Sequence, residues 1–264
     1  MCPVADHPII IPAAPDTVIW KYFQEKYFRS LFADEALFFR RVIDFARSDP
    51  FEGTKPERDK MNDRRHALRS SNSIEELKVR ADSAESVDVY GMRQRVVVNC
   101  WKMAATESNH MWHLYSKVSD GSIGVAVKST VHAMHNALAN QPSLIHGSKV
   151  RYIDYEQDTF KKQGEYEHGT ANVMVPMIHK NIHGFPDENE YRLIHQYTGG
   201  GMPDEWWDEY DGCRGCMIKV DLPELITEVV LSPNSSEVDR LQIEELCRSK
   251  FVFAPVRHSK QVPA

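Results

Sequence analysis

A chain of 264 residues, 42% hydrophobic and 27% charged, carries enough apolar material for a substantial core and has the composition of a folded globular protein. Its formal net charge of −6 argues against general nucleic-acid binding, which needs a basic surface. No apolar run has the length of a membrane span, the N-terminus lacks the basic start and apolar stretch of a signal peptide, and five scattered cysteines fit reduced thiols in the cytoplasm.

Residues 1–17, with prolines at positions 3, 8, 12 and 15, read as a loosely ordered arm, and a single domain spans 18–260. Order begins with a β-rich run at 18–23, followed by a short helix at 25–31 and a strand at 36–39. Residues 46–53 form a loop in which Asp49-Pro50 signals a turn and Gly53 supplies a positive φ. Residues 55–84 are highly charged with helical spacing, and Ser73 with Glu76 fits a capping box. Arg58, Lys60, Arg64, Arg65, Arg69, Lys78 and Arg80 alternate there with acids, as on a solvated helix face. A β-branched strand at 95–101 precedes an aromatic helix at 107–117, in which Met111, Trp112 and Tyr115 share one face.

A turn into a strand at 121–127, a helix at 131–138, a strand at 148–155 and a helix at 171–179 follow. Beyond an insert at 198–214, strands are expected at 215–220 and 227–231, a helix at 236–250 and a last strand at 251–256. Helices and strands mix irregularly without a βαβ repeat, which defines an α+β domain with a central mixed or mostly antiparallel sheet and flanking helices.

The strongest candidate site is the run from Lys180 to Ile194. On a strand Glu188, Glu190 and Arg192 project from one side and Asn189, Tyr191 and Leu193 from the other. Three charges on one face of a strand entering the core need partners, and Lys180 is near enough in sequence to join them. The alternative is an exposed face with cross-strand ion pairs. Trp20-Lys21-Tyr22 places two aromatics on one side of a strand and a cation on the other, a combination suited to a base or a phosphate.

Other motifs are weaker. Cys213-Arg-Gly-Cys216 has half of a zinc-site spacing and no evident partners, so no metal is assigned. His110 and His113 lie three apart on a helix, where surface placement is the simpler account. A nucleophile elbow and a phosphate loop are both absent, and Gly199-Gly-Gly201 reads as a hinge.

Trp20-Lys-Tyr22, Ser48-Asp-Pro-Phe-Glu-Gly53, Asn99-Cys-Trp101, Ser108-x-x-Met-Trp-x-x-Tyr115, Gly121-x-x-Gly-Val-Ala-Val127, Val150-x-Tyr152 and Lys180 followed by Glu188-x-Glu-Tyr-Arg-Leu-Ile194 together resemble the bacterial and fungal family catalogued as domain of unknown function 2971. The segments 226–233 and 256–259 look like the same family's C-terminal pattern. Ser48 stands where that family usually has asparagine. More distantly, the order of parts is similar to NAD-dependent ADP-ribosyltransferases, which hold NAD in the cleft of a split sheet.

That similarity implies a carboxylate, Glu190 or Glu188, to hold the ribose and offset an oxocarbenium-like charge, with Arg192 or Lys21 on the pyrophosphate. The expected site lies between the strand bearing Lys21 and Tyr22, the loop from Asp49 to Glu52, the helix bearing Trp112 and Tyr115, and the strand of Glu188, Glu190 and Arg192. Its expected work is nucleotide-directed: ADP-ribosyl transfer or hydrolysis of NAD, with a macromolecular acceptor unspecified. The alternative is a non-catalytic sensor or interaction module in stress or phage defence.

Overall fold

A computed structural model describes residues 9–71, 73–76, 78–79, 92–115, 123–160, 174–183, 188–197, 207–210 and 212–261. Its centre is a ten-stranded sheet. In chain order the elements are β1 (Val18–Gln24), α1 (Glu25–Asp34), β2 (Ala36–Arg41), α2 (Glu57–Ser70), α3 (Met92–Arg95), β3 (Val96–Met103) and α4 (Asn109–Tyr115). Then come β4 (Gly124–Thr130), α5 (Val131–Ala137), β5 (Ile145–Lys149), β6 (Arg151–Ile153), α6 (Met174–Met177), β7 (His179–Asn181) and β8 (Glu190–Gln196). The chain continues through β9 (Asp208–Tyr210), β10 (Cys213–Lys219), α7 (Leu222–Leu225), β11 (Glu228–Leu231), α8 (Glu237–Ser249) and β12 (Val256–His258).

The large sheet runs β12-β11-β4-β1-β3-β2-β10-β9, with β8 paired to β3 and β5 paired to β8. Every pairing in it is antiparallel except β11 with β12, so the α+β expectation holds. A separate parallel pair joins β6 to β7. Among the described residues no helix is long and apolar enough to cross a membrane.

The pairing of β3 positions everything that follows. Along one edge it is matched by β8 over seven residues, from Val96–Gln196 to Lys102–Glu190. It meets β1 only at Lys102 and Met103, and β2 only at Val97 and Val98. Between those contacts β1 and β2 diverge, and the sheet is split beside Asn99, Cys100 and Trp101. Helix α1 and the left-handed Glu35 (φ 45°) carry the chain from one diverging strand to the other.

Backbone groups at such a gap still require partners. Side chains supply them: Lys21 Nζ donates to the Cys100 carbonyl at 3.0 Å, and Asn99 Nδ2 donates to the Phe38 carbonyl at 2.8 Å. One sheet face carries the main core, with Phe28 and Phe32 of α1, Met134 of α5, Leu225 of α7 and Ile243 of α8 packed on it. On the other face two smaller apolar clusters stand apart. Trp20, Tyr22 and Trp112 form one, and Val96, Val98, Ile194 and Met177 belong to the other.

Several expectations change here. Of the expected arm, residues 9–17 are described and the rest lies outside the described residues; Ile9, Ile10 and Ile11 pack on the second cluster, and Ile11 pairs with Ser148 and Lys149. The three isoleucines are half-buried there, and removing their apolar surface from water holds the segment on the domain. The strand expected at 148–155 breaks at Val150, whose N–H goes to Glu190 while Arg151 turns to Ile178. In the span expected to be helical at 171–179, the described residues hold only the short α6, and Lys180 falls on β7. Phe251 is a left-handed turn residue (φ 59°), so the last strand starts at Val256. The insert contributes β9, and β10 begins at Cys213, while residues 198–206, with the Gly199–Gly201 run, lie outside the described residues.

Candidate functional site

Two cavities share Lys21, Tyr22, Phe45, Cys100 and Tyr115 in their walls and form one cleft at the split. The narrower end, about 170 Å³, is lined by Lys21, Lys102, Lys180 and Arg192 against Glu52, Glu188 and Glu190. The wider end, about 320 Å³, takes Phe23, Leu31 and Leu37 from the core face and Tyr22, Phe38 and Arg40 from the other.

The polar end is built on β3 and β8. Their register sets Lys102 opposite Glu190 and Cys100 opposite Arg192, so these side chains share one face. Arg192 is 1% exposed and uses every N–H of its guanidinium. Nε reaches Glu190 Oε1 at 2.6 Å and Nη2 reaches Glu190 Oε2 at 3.1 Å. Nη1 donates to Glu52 Oε1 at 2.6 Å and to the Met177 carbonyl at 2.8 Å, and Nη2 also reaches Glu52 Oε2 at 3.3 Å. A pyrophosphate at this arginine would have to displace a carboxylate, so the expected pyrophosphate role for Arg192 gives way to an architectural one.

Glu52 is aimed by the Asp49–Gly53 loop. Asp49 Oδ1 accepts the Phe51 N–H at 3.0 Å, and Gly53 has φ 67° with no room for a Cβ, which would lie 2.6 Å from Val42 Cγ1. Asp49 is buried, shapes this turn and stands outside the cavity walls, in place of its expected ligand contact.

The two glutamates differ. Burial would raise the Glu190 carboxyl, but the Arg192 charge, its hydrogen bonds and Lys180 bring it down to about 2, a fixed anion. Glu188 does not lie on the strand as expected, because Asn189 is left-handed (φ 40°), its side chain and carbonyl pairing with Met103. That turn carries Glu188 onto Lys180 Nζ at 2.5 Å, while Lys180 stands 3.8 Å from Glu190. Burial outweighs the Lys180 charge and holds the Glu188 carboxyl above the usual range. Lys180 is itself raised, because the charges of Glu190 and Glu188 together outweigh burial, so its ammonium is hydrogen-bonded to Glu188 and faces Glu190.

The aromatic side divides likewise. Tyr22 and Tyr115 line both ends of the cleft, 6.2 Å apart between ring centroids, and Tyr22 Oη accepts the Ser108 N–H at 2.8 Å. Burial pushes the Tyr22 hydroxyl up to about 12 and also raises Tyr115. Trp112, expected in the site, is buried edge-on to Tyr22 at 4.9 Å and donates to Glu107, so it supports the wall without forming it. Lys21 sits on the core side of β1, 5.8 Å from the rings of Phe23 and Trp101, with its pKa lowered by burial.

Lys102, Cys100, Phe45 and Arg40 are wall residues the sequence reading missed; the only signal was Asn99-Cys100, polar and small in a buried β-branched run. Cys213 and Cys216 are free thiols three apart on β10, hence on opposite faces. His110 and His113 are exposed on α4, and no group of three or more metal-ligating side chains occurs among the described residues.

No protein-family model, curated protein or solved structure matches this chain. What the fold and cleft define is a class: an α+β domain whose split sheet encloses a polar-ended, aromatic-walled pocket.

Proposed function

We propose that the cleft binds a nucleotide and consumes NAD, by ADP-ribosyl transfer or by hydrolysis, in the cytoplasm. The observation that carries it is the unequal pair Glu188 and Glu190, bridged by Lys180 at the end of an aromatic-walled cleft. Two carboxyls pushed apart in proton affinity can divide electrostatic and proton-transfer roles.

In the proposed step the bond between the ribose C1′ and the nicotinamide nitrogen breaks, and its electron pair leaves with the ring as neutral nicotinamide. Glu190, held ionised by Arg192, offsets the positive charge that develops on the ribose. Water or an acceptor hydroxyl bonds to C1′ and passes its proton to Glu188, whose raised pKa makes it a stronger base than an ordinary carboxylate. Membership in the domain of unknown function 2971 family is part of the same proposal and rests on the order of the motifs.

The test is to incubate the protein with NAD and follow free nicotinamide and ADP-ribose. Glu190→Gln should abolish turnover yet keep most of the thermal shift that NAD produces, because that carboxylate acts on charge present only in the transition state. A second reading, an interaction module in stress or phage defence, draws on the complete internal pairing of Arg192. It prevails if no nicotinamide is released and NAD, ADP-ribose, ATP and GTP leave the melting temperature unchanged.

A further inference from the structure

We infer that Arg40, together with Lys21, binds a phosphate group of the nucleotide in the wider lobe of the cleft. This deepens the proposed function and assigns the anion-binding arginine to β2, where Arg192 has no donor to offer. Among the described residues the wall of this lobe contains two cations, Lys21 and Arg40, and no aspartate or glutamate. A cavity lined by one sign of charge in apolar surroundings concentrates the opposite sign.

Arg40 is prepared for such a partner. Its Nη2 donates to the Asp44 carbonyl and its guanidinium lies 4.3 Å from the Phe45 ring, which fixes the group, while its buried Nε has no hydrogen-bond partner. The guanidinium forms part of the lobe wall, where charge-assisted hydrogen bonds to a phosphate are open to it. Lys21 has one hydrogen bond, to the Cys100 carbonyl, and burial already disfavours its charged form, which an anion would restore. The rings of Tyr22, Tyr27, Phe38 and Phe45 in the same wall supply faces and edges for a base.

The experiment compares AMP with adenosine by calorimetry at low salt, in the parent protein, Arg40→Met and Arg40→Lys, after ligand-free melting has established that each variant folds. The parent should bind AMP roughly ten-fold to a hundred-fold more tightly than adenosine, the worth of charge-assisted hydrogen bonds to phosphate. Arg40→Met should close most of that gap and Arg40→Lys should keep part of it. Equal binding of AMP and adenosine by the parent, no binding of either, or an undiminished gap in Arg40→Met overturns the site. If Arg40→Met does not fold, the parent's preference and its reduction in Arg40→Lys decide. Nicotinamide release from NAD, measured on the same samples, separates the two proposals: AMP preference without release keeps the phosphate site and removes the glycosyl chemistry.

Discussion

Arg192→Ala is the perturbation that weighs the polar end of the cleft most directly. It removes five donors at once and leaves Glu52, Glu190 and the Met177 carbonyl facing one another at 2%, 4% and 1% residue exposure. Breaking one partner of a buried ion pair costs about 3–5 kcal/mol. The titration of Glu190 gives a separate figure. A carboxyl at about 2 in the native chain and near 4.5 in the unfolded one prefers the folded, ionised state by about 3 kcal/mol. For a chain of this size a cost of about 3–5 kcal/mol corresponds to a fall of roughly 6–20 °C in melting temperature.

The pH dependence carries the sign. Between pH 2 and 4.5 the unfolded chain binds more protons at Glu190 than the native one, so this stabilisation is complete above about 4.5 and is lost as pH falls towards 2. Arg192→Ala should flatten that acid limb as well as lower the plateau. Thermal melts followed by circular dichroism from pH 2.5 to 7 would measure both. An Arg192→Ala protein melting within 2 °C of the parent at pH 7 would refute the network as a determinant of the fold.

Three further outcomes are expected. Glu188→Gln should gain stability relative to the parent as pH rises from 4 to 7, because the raised Glu188 carboxyl makes the native state bind more protons than the unfolded one in that range; urea titrations at the two pH values would show it. Gly53→Ala should cost about 2–4 kcal/mol, from left-handed strain plus the contact with Val42, and should loosen the Glu52–Arg192 pair; chemical denaturation reads it. Phe251→Gly should raise the melting temperature by a few degrees, since an exposed phenylalanine holds φ 59° where glycine carries no steric penalty.

The α+β architecture is legible in the irregular mixing of helical and strand patterns, and the shared face of Glu190 and Arg192 in the alternation of charge and apolar residues along β8. The turn at Asn189 is not, because left-handed backbone at a single asparagine leaves no period in the sequence. Neither is the purpose of Trp112: an aromatic beside a polar segment has the same composition whether it walls a cleft or braces the wall from behind. Arg40 is invisible for another reason. It follows Phe38-Phe39 as any exposed strand end might, and only the pairing of β2 with both β3 and β10 brings it to the split.

The uneven pairing of β3 also determines how the molecule can breathe. Seven continuous pairings weld β3 to β8, whereas β1 and β2 are each attached to β3 by two. The sheet is thus a β3–β8 spine with two flanking groups of strands that each share few backbone pairings with it, one carrying β4, β11 and β12 and the other β10 and β9. Amide hydrogens shared between β3 and β8 should be among the last to exchange with solvent, and those bridging β3 to β1 and β2 should exchange earlier and together. A ligand lodged between the two flanking groups would slow that second set, so deuterium uptake could detect an occupant before its chemistry is known.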